Sequence, residues 1–408
     1  MIRCNTTTLK FTNRAKLDLL STFVDDYTNM VNKFINIIWN TNKLSSKSFI
    51  DNTTCKTIST NREYDSRIRQ CAAKQASGIV RAVTAKRRRQ LYKLAELQKE
   101  GKSTRYLQRK IDLKPLKKPC IKNLNVELNS RFVDFQFQPT NKLFNIFVRI
   151  KQIGNKQQIV FPVKFNKVIR KFLKLGKLKS SIRISKKQIT FFFDLPEAPK
   201  KGNVIVGADQ GLTTCLTLSD GQVTKKNKHN HDLTSITKIL TRRVKNSKGF
   251  KRTQTHRKNY VNWSLNQLNF KNIKQVKFEK ICNLRKGKKT SRYLSHWCYT
   301  LIKDKLVSLS EDKGFVFTEQ DNKYRSQRCS ACGWTHKLNR KGKTFKCKRC
   351  RFLTDSDLNA ASNHEVELVE IPRQVWLQKL NRSSGFYWNE DSVIVGNESI
   401  VRCVQKTN

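Results

Sequence analysis

Two Cys-x-x-Cys pairs, Cys329/Cys332 and Cys347/Cys350, enclose a loop of 14 residues, and that spacing obliges the chain to fold locally around a metal. Four thiolates meet the tetrahedral demand of one structural Zn²⁺, although the loop falls just below the usual range of about 15–20 residues. Small and basic residues fill the turns (Ser330, Ala331, Gly333, Lys348, Arg349), and Gly333 leaves the backbone free to turn its N–H groups toward sulfur. Four unrelated buried thiols have no reason to fall into two pairs of equal spacing. Shortly after the knuckle comes an acidic Asn-Ala run, DSDLNAASN from Asp355 to Asn363, which sets a candidate carboxylate beside it.

Charge identifies the class of partner. Lysine and arginine number 84 against 30 acidic residues, a formal net charge of +54 that far exceeds what solubility needs. The basic residues occur in every region rather than in one tail, which favours a long nucleic acid following the whole protein over a single local contact. A solvated cationic surface is the bland alternative. A membrane partner is not expected: no apolar run approaches the roughly 18 residues of a spanning helix, and MIRCNTTTLKFTNR at the N-terminus lacks the apolar core of a secretory signal.

The 408 residues suit two to four domains. Twelve cysteines without a signal segment fit a reducing, cytoplasmic setting. In it Cys4, Cys55, Cys71, Cys120, Cys215, Cys282, Cys298 and Cys403 serve as small apolar residues or free thiols rather than disulfides. The oligomeric state is not readable from the chain.

Periodicity gives the order of elements. A short strand over Ile2–Phe11 precedes a helical pattern of Leu17, Leu20, Phe23, Val24, Tyr27, Val31, Phe34, Ile35 and Ile38 at three- and four-residue steps. After a polar loop (Thr41–Asn61), a second helical stretch begins near Ser66 and ends in Lys86, Arg87, Arg88 and Arg89. Basic character continues from there through Arg109 and Lys110, a charged face suited to a phosphate backbone. From Asn123 to Leu195 the period becomes two, as in Val133, Phe135 and Phe137, which reads as a barrel-like β-domain flanking the helical insert. The linker PEAPKKGN (Pro196–Asn203) then leads into VIVGADQGLTTCLTLSDGQ. Thr237–Lys258 reads as a basic helical segment, and Tyr92, Tyr106, Tyr260 and Trp263 are aromatics among basic residues, able to stack on unpaired bases but more often core. Beyond Val366 the tail holds scattered apolar residues (Trp376, Leu377, Phe386, Tyr387, Trp388) without periodicity or motif.

Three acidic residues stand out. Asp209 ends an apolar strand between Gly207 and Gly211, where the glycines clear space for a Mg²⁺ that a phosphate also approaches; alone, such an Asp is usually just a turn residue. Glu279 interrupts the apolar run Ile273, Val276, Phe278, Ile281, and its ordinary reading is an edge-strand glutamate facing water. Asp357 opens a helix in which Ala360 and Ala361 permit close packing, with Asp355 the better N-cap.

The ordered set GADQG (Gly207–Gly211), FEKI (Phe278–Ile281), the two Cys-x-x-Cys pairs and DSDLNAASN resembles the split RuvC-like nuclease of TnpB-type transposon proteins and of miniature type V CRISPR effectors. The likeness is strong over 203–366, and weaker for a wedge and a recognition domain before it. It implies an α+β multidomain fold: a β-barrel wedge domain (1–14 and 120–200), a helical recognition insert (15–119), an RNase H-like (RuvC) nuclease domain (201–324 and 352–366), a zinc-ribbon target-nucleic-acid-binding insert (325–351), and the tail (367–408). It implies Asp209, Glu279 and Asp357 as catalytic ligands of two Mg²⁺, Cys329, Cys332, Cys347 and Cys350 as ligands of one Zn²⁺, and guide RNA and target DNA as partners. Arg328 is a possible transition-state stabiliser, though an arginine in so basic a chain is by default a backbone contact, and Lys86–Arg89 are candidate nucleic-acid contacts. Arg351 stands where the family commonly has glycine, so the second knuckle is expected to be less regular. The implied activity is RNA-guided, Mg²⁺-dependent cleavage of DNA. A guided protein that binds without cutting, and an unguided zinc-ribbon nucleic-acid-binding or transposition protein, are the alternatives.

Overall fold

The structure, a computed structural model, describes residues 1–40, 58, 64–141, 143–200, 202–281, 291–396 and 398–402. The expected Thr41–Asn61 loop, apart from Ile58, lies outside the described residues, as do Cys55, Cys282 and Cys403. The chain divides into two compact units, Met1–Pro196 and Glu197–Asn408. No helix among the described residues is long and apolar enough to cross a membrane.

The first unit runs β1 (Ile2–Thr8), α1 (Arg14–Asn40), α2 (Ser66–Lys99), α3 (Arg105–Asp112), β2 (Val126–Leu128), β3 (Val133–Phe137), β4 (Ile146–Ile150), β5 (Ile159–Val163), α4 (Lys167–Leu175), β6 (Lys177–Ile184) and β7 (Gln188–Asp194). β1 pairs antiparallel with β7, so the helices are inserted between strands of one sheet, ordered β1-β7-β6-β2. A second antiparallel sheet, β3-β4-β5, forms no strand ladder with the first. The expected closed barrel is therefore corrected to two open sheets among the described residues. Three-residue β2 ends the first sheet at one edge and β1 at the other, and no ladder joins them to close the cylinder.

Helix α1 buries Leu20, Phe23, Val24, Tyr27, Val31, Phe34 and Ile35, the stripe its periodicity demands. α2 starts at the N-cap Asp65, which accepts the Arg67 N–H at 2.7 Å, and buries small residues (Ala72, Ala73, Ala76) against that stripe. It does not stop at Arg89 but continues to Lys99. No residue from Ala85 to Lys99 is buried, so intrinsic propensity rather than core packing sustains this half.

The second unit contains β8 (Val204–Asp209), β9 (Thr217–Leu218), α5 (Leu233–Arg242), α6 (Lys248–Asn266), β10 (Ile273–Lys280), α7 (Arg292–Ser295), α8 (Tyr299–Lys313) and β11 (Val316–Asp321). The knuckle follows, with β12 (Trp334–Thr335), β13 (Arg340–Lys341), β14 (Thr344–Lys346) and β15 (Leu353–Asp355). Then come α9 (Ser356–Glu365), α10 (Arg373–Leu377), β16 (Phe386–Trp388), β17 (Ser392–Val395) and β18 (Glu398–Arg402). The expected Thr237–Lys258 helix is split into α5 and α6, because Arg243 leaves helical geometry and Ser247 caps a new helix by accepting the Phe250 N–H. The tail supplies β16, which pairs antiparallel with the knuckle strand β12 and extends it into the sheet β12-β16-β17-β18.

The sheet β11-β10-β8-β9 has β8, β10 and β11 parallel and β9 antiparallel. Alternation assigns its faces: Val206 and Ala208 of β8 and Val276 and Phe278 of β10 enter one core with Val261 and Leu265 of α6 and Ile302 and Leu306 of α8. Gly207 and Asp209, with Lys277 and Glu279, take the opposite face, which α9 covers. A Cβ on Gly207 would lie 1.9 Å from the Ala361 carbonyl oxygen and 2.5 Å from the Glu365 nitrogen. Gly207 thus clears space for helix backbone. Gly207→Ala is expected to destabilise the full chain by about 2–3 kcal/mol through overpacking, read as a lower denaturation midpoint; an unchanged midpoint would contradict this close approach.

Candidate metal centre and cysteine knuckle

Adjacent parallel strands bring two of the expected carboxylates together. Phe278 pairs with Ala208, which sets Glu279 level with the end of β8 where Asp209 lies. Glu279 is buried, and its Oε1 accepts the Gln210 backbone N–H at 2.9 Å, so the turn after β8 orients it. Burial, then the Glu279 and Asp357 charges, raise the Asp209 carboxyl well above its ordinary range. Burial also pushes Glu279 up to about 7 against the opposing Gln210 hydrogen bond. Two crowded carboxylates with little solvent favour a cation, and oxygen donors of this kind suit a hard divalent ion.

A third ligand type is present. Oxygen atoms of Asp209 and Glu279 and a ring nitrogen of His364 lie within 4.8 Å of one another. Burial, and secondarily Arg325, push the His364 imidazole down to about 3, so it is neutral near pH 7. A single histidine in a helical run carries no spacing signal, and sequence reasoning passed over it.

Asp357 occupies the first turn of α9, with Asp355 as N-cap accepting the Asp357 and Leu358 N–H groups at 2.8 and 3.2 Å, the roles expected of the two. The Asp357 carboxylate does not join the 4.8 Å cluster. It pairs instead with Arg340 at 3.3 Å and with Lys343, both from the β13–β14 hairpin of the knuckle. Asn359 and Asn363, four residues apart on α9, lock the knuckle to the helix. Asn359 accepts the Ser330 N–H at 3.0 Å and donates to the Arg328 carbonyl at 2.8 Å, and Asn363 donates to the Arg328 carbonyl at 2.7 Å. Sequence reasoning missed these amides; two asparagines at helical spacing beside alanines were the available signal.

Within the knuckle, Cys329 Sγ lies 3.7 Å from Cys350 Sγ, and Cys332 Sγ the same 3.7 Å from Cys347 Sγ. A disulfide would need about 2.05 Å, whereas a tetrahedron of sulfurs at about 2.3 Å from zinc has edges of about 3.8 Å. The donor set therefore fits Zn²⁺, and four sulfurs leave no open position. Gly333 sits at φ +77° and Arg351 at φ +66°, so both knuckles take the same left-handed turn. The expected irregularity of the second knuckle is corrected: Arg351 adopts the conformation that glycine would take more easily.

Arg328 is buried. Its Nε donates to the Trp388 carbonyl at 2.7 Å and its Nη1 to Asn363 Oδ1 at 2.6 Å, so its guanidinium ties α9 to the tail strand β16. On α2, Lys86, Arg88 and Arg89 are exposed, while Arg87 is partly buried and donates to the Ile111 carbonyl at 2.9 Å and to the Lys114 carbonyl, holding α3. Tyr92 and Tyr106 are exposed on the same helices, Trp263 is partly exposed, and Tyr260 is buried with its hydroxyl donating to the Lys225 carbonyl.

Residues 299–364, from α8 through the knuckle to α9, match the family described as Cas12f1-like, TNB domain. A CRISPR-associated endodeoxyribonuclease Cas12f1 from Sulfoacidibacillus thermotolerans is 33% identical over 96 residues, 23% of this chain and 22% of that protein. The TnpB-like protein aq_aa05 of Aquifex aeolicus is 30% identical over 95 residues, 22% of this chain and 31% of that protein. These alignments span less than a third of either relative. The fold is similar to that of a Cas12f1 solved in an sgRNA–target DNA complex, with TM-score 0.53 at 13% identity, over 86% of this chain and 81% of that one.

Cys329→Ser or Cys347→Ser is expected to lower bound zinc from about one per chain to a small fraction, measured by elemental analysis, because the metal's binding energy is local folding energy; undiminished zinc in both would contradict four-sulfur ligation. Arg351→Gly is expected to relieve left-handed strain of about 1 kcal/mol and slow zinc loss to a chelator. Faster loss would show that the Arg351 side chain matters more than its backbone.

Proposed function

We propose that this chain, which is similar to TnpB-like proteins and miniature type V effectors, is an RNA-guided DNA endonuclease with a RuvC-like metal centre. The observation that carries the reading is the meeting of Asp209 and Glu279 on adjacent parallel strands, under a helix that carries Asp357 in its first turn and is anchored to a four-cysteine knuckle. In this reading the sheet β11-β10-β8-β9 is the RNase H-like core, the knuckle is the target-nucleic-acid-binding insert, and the first unit provides the wedge and recognition parts.

Phosphodiester hydrolysis needs an activated water and a stabilised leaving oxygen, which two Mg²⁺ held by carboxylates supply when bound. Asp209, Glu279 and Asp357 would hold them. The Gln210 N–H fixes Glu279 in place. Arg340 and Lys343, now balancing Asp357, bring positive charge to the edge of the site where the DNA backbone must come. Zinc stays structural, since its thiolates fill the coordination sphere.

Guide RNA and target DNA answer the +54 charge. Base pairing reads the target, while the protein contributes backbone contacts and shape recognition. The unburied, basic C-terminal half of α2 is the surface of the first unit best suited to phosphate.

Asp209→Ala, Glu279→Ala and Asp357→Ala are each expected to bring cleavage of a guide-matched duplex down to background. Guide-dependent binding should stay within a few fold, since affinity comes from many phosphate contacts. Cleavage and binding are measured side by side by gel assay and filter binding. Normal cutting by the Asp357→Ala protein would remove that residue from the site and move attention to Asp355.

A further inference from the structure

His364 lies on α9 seven residues after Asp357, two turns along the helix. It is 2% exposed, and its Nδ1 has no hydrogen-bond partner among the described residues. Buried imidazoles normally use their ring nitrogens on a carbonyl, a carboxylate or a metal. Here a ring with an unpartnered Nδ1 stands within ligand range of two carboxylates, Asp209 and Glu279. An aliphatic side chain would fill the same volume without burying an unpaired polar atom, so packing alone does not account for a histidine.

We propose that His364 is a metal ligand. With Asp209 and Glu279 it forms a site of two carboxylates and one imidazole, which takes first-row transition ions, Mn²⁺ among them, more tightly than Mg²⁺. Carboxylates accept Mg²⁺ and Mn²⁺ alike, but imidazole nitrogen is a softer donor that adds affinity for the transition metal and little for Mg²⁺. The centre is then two-sided: the imidazole site where β8 and β10 meet α9, and an oxygen-only position reached through Asp357. The inference rests on the nuclease reading for what the ion is used for, and on the geometry alone for its binding.

The test uses the full chain, nuclease-treated and loaded with zinc but freed of other metals, titrated with Mn²⁺ and followed by electron paramagnetic resonance. Pulsed measurement of the bound ion is expected to show coupling to one directly ligated ¹⁴N. His364→Leu should abolish that coupling and weaken Mn²⁺ about tenfold or more, while Mg²⁺ affinity, read by competition, changes far less. His364→Gln, with far-ultraviolet circular dichroism and zinc content unchanged, guards against a folding defect. Failure to bind Mn²⁺, Mn²⁺ without ¹⁴N coupling, or coupling that survives in both variants would overturn the assignment. Guide-directed cutting in Mg²⁺ without ¹⁴N coupling removes His364 and leaves the nuclease reading intact. A nitrogen-ligated Mn²⁺ in a protein that cuts under no guide removes the nuclease reading and leaves the ligand.

Discussion

The approach of α9 to β8 over Gly207 is the contact on which the second unit's chemistry depends. A helix can lie this near a strand only where no Cβ intervenes. Once it does, one ten-residue helix presents Asp357 and His364 on the side of the strands that carry Asp209 and Glu279, and Asn359 and Asn363 to the knuckle. Lys277 completes the anchorage from β10 by donating to the Glu365 carbonyl at 2.8 Å. With a metal bound by its four cysteines, the knuckle would pass its order to the carboxylates through these amide hydrogen bonds.

Electrostatics divides the molecule in two. Around the candidate centre, burial first and neighbouring acid charge second raise the proton affinity of Asp209 and Glu279, which calls for divalent charge. Almost everywhere else the excess is positive, including the C-terminal half of α2, where no residue from Ala85 to Lys99 is fully buried. Arg340 and Lys343 sit at the border, held by Asp357 and close to where a phosphate would enter. Such an arrangement suits a protein that gathers polyanions broadly and neutralises their charge locally.

The parts of this design that were readable in the chain are those written as local patterns. Cysteine spacing marked the knuckle, and three- and four-residue steps marked α1. Glycines on either side of Asp209, and the apolar run that Glu279 interrupts, mark both carboxylates in the chain. What was not readable depends on tertiary partners. Gly207 was assigned to clearing space for a metal because nothing in the chain says that a helix some 150 residues later, beginning at Ser356, will lie on it. The barrel failed because closure is a matter of which edges pair, not of period. The tail strands are three to five residues long, too short for periodicity, and acquire meaning only by extending β12.

The most direct test of the account is a guide exchange. Any RNA that co-purifies with the protein is sequenced, and its targeting segment is replaced by an unrelated one in a reconstituted complex. Cleavage mapped on a plasmid bearing both targets is expected to move to the new site and to be absent without RNA. Cutting that stays at the original site, or continues with equal selectivity in RNA-free protein, would contradict guidance and leave an unguided metal-dependent nuclease in its place.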